Sequence, residues 1–504
     1  RDVREARLSD YLPSQSQLVA GAMTETLHTL LAVAARRDSE APALVTPDGA
    51  VSYERFHGRI LRLARGLRAL LQRSGGIVIQ TRDSVALLEA FFACAAIGRP
   101  ALPLDPDLPM PFVDGLLADH PVAAVVTSNT ASPFAGKIPV LQISDIPDAK
   151  AETPAASLDA NVEFYWGLTS GTTGAPKLFA RSHASWVASF KSAEQVFSFP
   201  AQSRILIPGP LYHSLFLYGA VHALCRGHTV LLPGGRFRPK RMAGSAARAT
   251  HLYAVPFMLG EMLRVGAQVP DLQVVFSGGA KLSAELRHEC ERAWPGVDLV
   301  EFYGASETSF VTYHSTSKPA NSGSVGRVFP GVEVEIRDDD GKAVASGEEG
   351  RIFVSGPMLF SRYVGDRQSG EWFSAGDMGR FDADGCLYLT GRASRMIKSK
   401  GLKIHPEPIE AALSLLPEIR KVAVVDLPDA VRGAVPVAAI EFADGKFRDR
   451  RSLSARCRES LSAQHCPRRY FVTDALPLTG SGKVAVDQIR NALMSGDAAY
   501  EELL

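Results

Sequence analysis

Within Leu168-Thr-Ser-Gly-Thr-Thr-Gly-Ala-Pro-Lys177 the chain sets four hydroxyl residues and two glycines ahead of a lysine. These residue types make a poor core and suit a loop that wraps an anion. Gly171 and Gly174 permit sharp turns and close backbone approach. Backbone N–H groups and the hydroxyls of Thr169, Ser170, Thr172 and Thr173 are donors for phosphate oxygens, and Lys177 adds positive charge. The spacing differs from the G-x-x-x-x-G-K-[ST] phosphate loop, and no Ser or Thr follows the lysine. A flexible linker is the plain alternative. The apolar run Val162–Trp166, reading as a buried strand that feeds into the segment, argues against it.

Further segments carry weaker signals of the same kind. Gly278-Gly-Ala280 follows the apolar strand Val274–Phe276, where small residues admit a flat ring against backbone, although a tight turn explains them nearly as well. In Glu301-Phe-Tyr-Gly-Ala-Ser-Glu307, Tyr303 offers a stacking face, Gly304 a close approach, and Glu307 a hard-cation ligand; a surface turn with a solvated Glu is the alternative. Asp377 follows a glycine turn and suits a pair of ribose hydroxyls; Arg392 could add a second polar contact. Either could equally be half of a surface ion pair. Pro477–Lys483 is a Gly-rich loop ending in lysine. His213, within Pro210-Leu-Tyr-His213, is a candidate catalytic residue, although a lone histidine is more often structural. No metal cluster or Ser-His-Asp triad is legible from spacing.

The elements that must hold these segments alternate. From Ser52 to Glu307, apolar strands (Ile77–Ile79, Ala101–Leu104, Ala123–Val126, Ile205–Pro208, Thr229–Leu232, Leu252–Val255, Val274–Ser277, Leu299–Tyr303) are interleaved with helices. One helix is capped by Asp83 and ended by Gly98; others are read at Pro239–Ala247 and Ser283–Ala293. This pattern predicts an α/β fold with mostly parallel, helix-covered sheets. After Gly323, the runs Val332–Ile336, Arg351–Val354 and Cys386–Leu389, separated by Asp/Gly turns, predict an antiparallel, barrel-like portion. A basic stretch from Arg395 to Gly401 opens a small C-terminal α+β segment, which places a boundary near Ser394 and domains over 1–393 and 394–504. Asp497–Leu504 reads as an acidic helical tail, with no carrier domain after it.

At 504 residues, 46% hydrophobic and 22% charged, the composition is that of an ordinary globular protein. A net charge of +1 argues against a broad nucleic-acid-binding face. Val85–Ile97, the longest apolar stretch, is too short to span a bilayer and contains Glu89. The six scattered cysteines show no metal-like pairing. No signal peptide is read at the start, and the chain opens at Arg1 rather than Met. A soluble cytoplasmic protein is the expectation.

Taken in order, Leu168–Lys177, Pro210–His213, Ser277–Ala280, Tyr303–Glu307, Gly376-Asp377, Gly391-Arg392, Lys398–Glu410 and Pro477–Lys483 resemble the motifs of the adenylate-forming superfamily. That group includes acyl- and aryl-CoA synthetases, adenylation domains of peptide synthetases, and beetle luciferases. The resemblance implies a large N-terminal and a small mobile C-terminal domain with the active site between them. It implies activation of a carboxylic acid by ATP and Mg²⁺ as acyl-AMP, with release of pyrophosphate, and then transfer of the acyl group to a thiol. On this basis Thr169, Ser170, Gly171, Thr172, Thr173, Gly174 and Lys177 belong to the phosphate loop. Gly279, Ala280, Tyr303 and Gly304 belong to the adenine side, Ser306 approaches the α-phosphate, Glu307 holds Mg²⁺, and Asp377 with Arg392 holds ribose. Lys483 bridges the attacking carboxylate and the α-phosphate. Ser394 is the hinge, where relatives commonly carry Asp or Lys; Val486 stands where many carry arginine.

Amino-acid-activating relatives place an aspartate where this chain has Ser214, which cannot pair with an α-ammonium, so the resemblance disfavours an amino-acid substrate. Ser214, Phe216 and Phe302 are the acyl-pocket candidates, with Phe257 and Phe310 behind them; the bulk of Phe216 favours a small aliphatic or aryl acid unless it turns into the core. CoA is the expected thiol. The cluster Arg236, Arg238, Lys240 and Arg241 is either a site for its 3′-phosphate or, more simply, a solvated helix start. A free-standing adenylation enzyme that loads a carrier-protein phosphopantetheine is the alternative, and a catalytically silent nucleotide-binding protein a remote one.

Overall fold

The computed structural model describes residues 25–128, 134, 136–148, 158–169, 177–235, 237–366, 370–400, 402–443, 449–478 and 484–503. The expected helices form where their caps are. Asp83 Oδ1 accepts from the N–H groups of Val85 and Ala86 at 2.9 and 3.1 Å, opening Ser84–Ala96, and Gly98 at φ +68° ends it. That helix is buried from Ala86 to Ala96, and its Glu89 carboxylate is met by Arg59 at 3.1 Å. Ser283 caps Ala284–Ala293, and Pro239 opens Pro239–Ala246. No helix among the described residues is long and apolar enough to cross a membrane.

Among the described residues the strands form four sheets. One runs, edge to edge, through Arg327–Val328, Ser309–His314, Asp298–Ala305, Val274–Ser277, His251–Ala254, Arg204–Leu206, Thr229–Leu231, Pro42–Thr46 and Gly49–Ser52. Its centre is parallel and its outer pairs are antiparallel. A second sheet runs through Arg362–Tyr363, Leu178–Ser182, Glu163–Leu168, Ala101–Pro103, Gly76–Gln80, Val122–Thr127 and Val140–Gln142, again parallel inside. Its two strands flanking the phosphate-type loop pair antiparallel, so this loop tips a hairpin rather than crossing to a parallel neighbour. The antiparallel portion expected after Gly323 is the sheet Glu333–Arg337, Gly350–Ser355, Asp377–Phe381, Leu387–Arg392.

The chain divides into two compact units, residues 1–334 with 354–373, and residues 335–353 with 374–504. The second unit holds the antiparallel sheet and a further mixed sheet centred on Ile419–Asp429 and Gly433–Phe442. The acidic tail departs from expectation. Gly496 at φ +70° stops the preceding helix Val486–Ser495, and Glu501–Glu502 pairs as an edge strand with Phe471 and Val472. Arg469 meets Glu502 at 2.6 Å, so the acidic residues find cross-strand partners instead of a helix.

Burial in the first unit sets a pH dependence. Desolvation pushes the imidazoles of His28 and His57 down to about 4 and that of His183 to about 3. His183 stacks on Phe164 at 4.8 Å, and its Nδ1 accepts the Leu27 N–H at 3.3 Å, so protonating that nitrogen would set N–H against N–H. Unfolded histidines titrate near about 6.5. Between that value and the folded values the unfolded chain binds more protons, so this stability is complete above about pH 6.5 and is lost as pH falls toward 4. The expected urea midpoint of the first unit drops steeply from pH 7 to 5, with a loss of at most about 1.4 kcal/mol per histidine per pH unit. A midpoint that is flat over this range would contradict neutral burial.

Candidate active site

Thr169 and Lys177, the described ends of the glycine- and hydroxyl-rich segment, meet at one end of the hairpin. Thr169 N–H donates to the Lys177 carbonyl at 2.9 Å, closing the neck of the loop. Ser170, Gly171, Thr172, Thr173 and Gly174 lie outside the described residues. The Lys177 ammonium sits 5.0 Å from the ring centroid of Tyr363, and the Tyr363 hydroxyl donates to Glu307 Oε1 at 3.0 Å. Glu307 is only 8% exposed, and its carbonyl accepts the Phe360 N–H at 2.7 Å.

The turn carrying Ser306 and Glu307 is tightly made. It joins Asp298–Ala305 to Ser309–His314 with a bulge at Tyr303 and Gly304. A Cβ on Gly304 would lie 1.8 Å from the Ser309 carbonyl oxygen, so glycine is required there. The Ala305 N–H donates to Thr308 Oγ1 at 2.9 Å. Beneath it lies Arg181, fully buried on Leu178–Ser182. Its guanidinium donates to the Ser306 carbonyl at 2.8 Å, the Met358 carbonyl at 2.7 Å, Ser309 Oγ at 2.8 Å and Ser185 Oγ at 3.1 Å. Burial pulls its pKa down to about 10, which leaves it cationic at neutral pH.

Ser214 links this turn to Tyr165. Its hydroxyl is 3.1 Å from Ser306 Oγ and 3.0 Å from the Tyr165 hydroxyl. His213 is the N-cap residue of Ser214–Arg226, with its ring 4.8 Å from that of Tyr212. Phe216 is buried at 3% exposure against Gly209, where a Cβ would strike its ring at 2.0 Å. Phe302 covers Gly278 and meets Phe310 edge-on at 4.9 Å. Phe257 is 67% exposed and packs near Phe237. Ser277 pairs in parallel with Glu301, so Gly279 and Ala280, both exposed, leave their strand beside Phe302 and Tyr303 at the carboxyl ends of the sheet. Gly279 takes φ +81°.

Other candidates lie in the second unit. Asp377 and Arg392, read separately as possible halves of ion pairs, are the two halves of one: they face each other in antiparallel register, with Arg392 Nε 2.7 Å from Asp377 Oδ1. Ser394 lies in the short turn Ala393–Arg395 and lines an open cavity of about 470 Å³ with Arg395, Lys398, Asp426 and Arg490. Arg395 is fastened to Glu407 and Glu410 at 3.2 and 2.6 Å. Lys483 lies outside the described residues; Leu478 and Val484 on either side of its loop form a β-bridge. Of the basic cluster, Arg236 is outside the described residues, Arg241 donates to the Gly234 carbonyl at 3.2 Å, and Arg238 and Lys240 flank Pro239 at the helix start.

Donor chemistry decides what the site can hold. Among the described residues no three His, Cys, Asp or Glu side chains converge as a metal cage. A single buried carboxylate beside a phosphate-type loop fits Mg²⁺, which keeps phosphate and water oxygens as its other ligands. The six cysteines are buried, free thiols, and none stands among the site residues. Sequence reasoning missed Arg181, Tyr363 and Tyr165. Arg181 alone left a local signal, a cation inside an otherwise apolar strand.

The family model for AMP-binding enzymes matches residues 31–364, and that for the AMP-binding enzyme C-terminal domain matches residues 408–483. An uncharacterized acyl–CoA ligase of Bacillus subtilis is 36% identical over 461 residues, covering 90% of this chain and 95% of that protein. A feruloyl-CoA synthase of Amycolatopsis is 29% identical over 481 residues, covering 90% and 96%. Among solved structures, the Bacillus subtilis o-succinylbenzoate CoA synthetase in complex with its acyl-adenylate intermediate superposes with a TM-score of 0.84 at 26% identity, covering 92% of this chain and 97% of that one. This chain therefore belongs to the AMP-binding enzyme family, as an adenylate-forming protein of the acyl/aryl-CoA synthetase type.

Proposed function

We propose that the chain joins a small aliphatic or aryl carboxylic acid to CoA through an acyl-AMP intermediate. The observation that carries this reading is the continuous line Lys177, Tyr363, Glu307, Ser306, Ser214 in one unit, which sets a cation, a buried carboxylate and three hydroxyls side by side. In the first half-reaction a carboxylate oxygen attacks the α-phosphorus, the bond to the bridging oxygen breaks, and pyrophosphate leaves. In the second, the CoA thiolate attacks the acyl carbon, the acyl C–O bond breaks, and AMP departs with that oxygen.

The residue roles follow from charge. Thr169 through Gly174 and Lys177 hold the phosphates, Ser306 faces the α-phosphate, and Glu307 holds Mg²⁺, which neutralises phosphate charge. Gly279, Ala280, Tyr303 and Gly304 take adenine; Arg392 orients Asp377 toward ribose. Lys483 neutralises two anions that must approach each other. His213, at the N-cap position of the helix that begins with Ser214, is the catalytic candidate beside the acid, and Phe216 and Phe302 bound the acid pocket. Ser214 is bonded to two hydroxyls and brings no carboxylate, which supports an acid without an α-ammonium. The domain boundary at 393/394, a hinge at Ser394 and a cytoplasmic setting, where ATP and CoA are supplied, complete the reading.

Turnover to AMP and pyrophosphate with short aliphatic, long aliphatic, aryl and amino acids, each with and without CoA, tests it. The expected result is turnover that needs both CoA and a small aliphatic or aryl acid. Turnover with amino acids, or pyrophosphate exchange without CoA-dependent turnover, would contradict it; the latter points to a carrier-protein thiol.

A further inference from the structure

Lys177 and Glu307 carry opposite charges, and one side chain touches both. The Tyr363 ring lies under the Lys177 ammonium at 5.0 Å, and its hydroxyl donates to Glu307 Oε1 at 3.0 Å. Its placement is fixed from several directions. The strand Arg362–Tyr363 pairs antiparallel with Leu178–Ser182, setting Tyr363 opposite Phe179, two residues past Lys177. Arg362 grips Glu163 with two contacts of 2.7 and 3.0 Å on the strand that leads into the loop. Phe360, whose N–H holds the Glu307 carbonyl, stands 5.0 Å from the Tyr363 ring and 4.7 Å from Phe373. Met358, at the start of the same strap, is held by Arg181. The strap is thus anchored to both strands of the loop's hairpin and to the turn of Ser306 and Glu307.

We propose that Tyr363 is a positioning residue for Mg·ATP, which keeps Lys177 and Glu307 apart and aims each at its own part of the triphosphate. The inference rests on the ATP reading above. Lys177 is exposed and Glu307 buried; a lysine and a carboxylate within reach of each other attract, and more strongly once a bound nucleotide excludes water. Direct pairing would consume the lysine's charge and turn the carboxylate away from a cation. Tyr363 gives each a separate partner: the ammonium meets a π-face, and the carboxylate accepts an O–H. Tyr363 carries no formal charge, so neither of these two contacts neutralises the group it touches.

Two variants separate the contacts. Tyr363→Phe keeps the ring and removes the hydroxyl; Tyr363→Leu removes both. Binding is read by calorimetry with ATP plus Mg²⁺ and with ATP plus EDTA, alongside the melting temperature of the unliganded chain. For Tyr363→Phe the expected result is Mg·ATP binding weakened about tenfold, the scale of one hydrogen bond to a charged group, with metal-free ATP binding unchanged and the unliganded chain still folded but melting slightly lower. Tyr363→Leu is expected to weaken metal-free ATP binding as well, and Tyr363→Phe restores that part. A Tyr363→Phe variant that binds Mg·ATP like wild type, or that loses both modes equally, overturns the proposal. Failure of the wild-type chain to bind Mg·ATP overturns the ATP reading and this inference with it.

Discussion

Lys483→Ala is expected to lower acyl-AMP formation by about 10²–10³-fold while sparing thioester formation from supplied acyl-AMP. The asymmetry follows from where charge accumulates. Adenylation brings a carboxylate onto a phosphate, two anions whose repulsion grows as water is excluded, and a lysine between them is worth far more there than in bulk solvent. Thiolysis directs the thiolate at the acyl carbon rather than at phosphorus, so a cation placed between carboxylate and α-phosphate is not needed for that step. Pyrophosphate exchange measures the first half-reaction, and single-turnover thiolysis of synthetic acyl-AMP measures the second. Equal loss in both would remove Lys483 from its assigned role.

Arg181→Met is expected to destabilise the first unit by about 3–5 kcal/mol, because several buried oxygens each lose a donor at about 1–3 kcal/mol apiece. The guanidinium makes four hydrogen bonds of 2.7 to 3.1 Å, to two carbonyls and two hydroxyls. Methionine fills much of the volume and supplies none of the donors, so those oxygens are left buried without them. Arg181→Lys recovers only part of the loss, because a single ammonium cannot reach acceptors arranged around a planar fork. A unit of about 350 residues shifts by only about 1–1.5 °C per kcal/mol, so melting is expected to fall by roughly 5 °C. ATP binding is expected to weaken too, since the Ser306 carbonyl and the strap at Met358 hang on this residue. Melting within about 2 °C of wild type would show that the network contributes little.

Some of the site was legible in the sequence, and what was missing has a common cause. The capping residue Asp83, the helix read from Ser283 and strand runs such as Val274–Ser277 are local patterns, and the structure places them as expected. The contacts that position the site join residues far apart in sequence. Tyr363 reaches Glu307 across 56 positions, and Arg181 reaches Met358 across 177. Nothing in the order of neighbours signals such pairs. Asp377 and Arg392 illustrate the limit: each was recognisable as a polar group after a glycine, but their ion pair depends on the register of a hairpin. The tail failed differently. Its charge suggested an exposed helix, whereas Glu501 and Glu502 add to an edge strand that offers Arg469.

The most direct test of the central claim follows oxygen from the acid. A carboxylic acid labelled with ¹⁸O in both carboxyl oxygens is turned over with ATP, Mg²⁺ and CoA, and the nucleotide product is examined by mass spectrometry. Attack of the carboxylate on the α-phosphorus followed by thiolysis at the acyl carbon predicts AMP carrying one ¹⁸O atom. Unlabelled AMP, or ADP with label in inorganic phosphate, would mean that no acyl-AMP forms and would contradict the account.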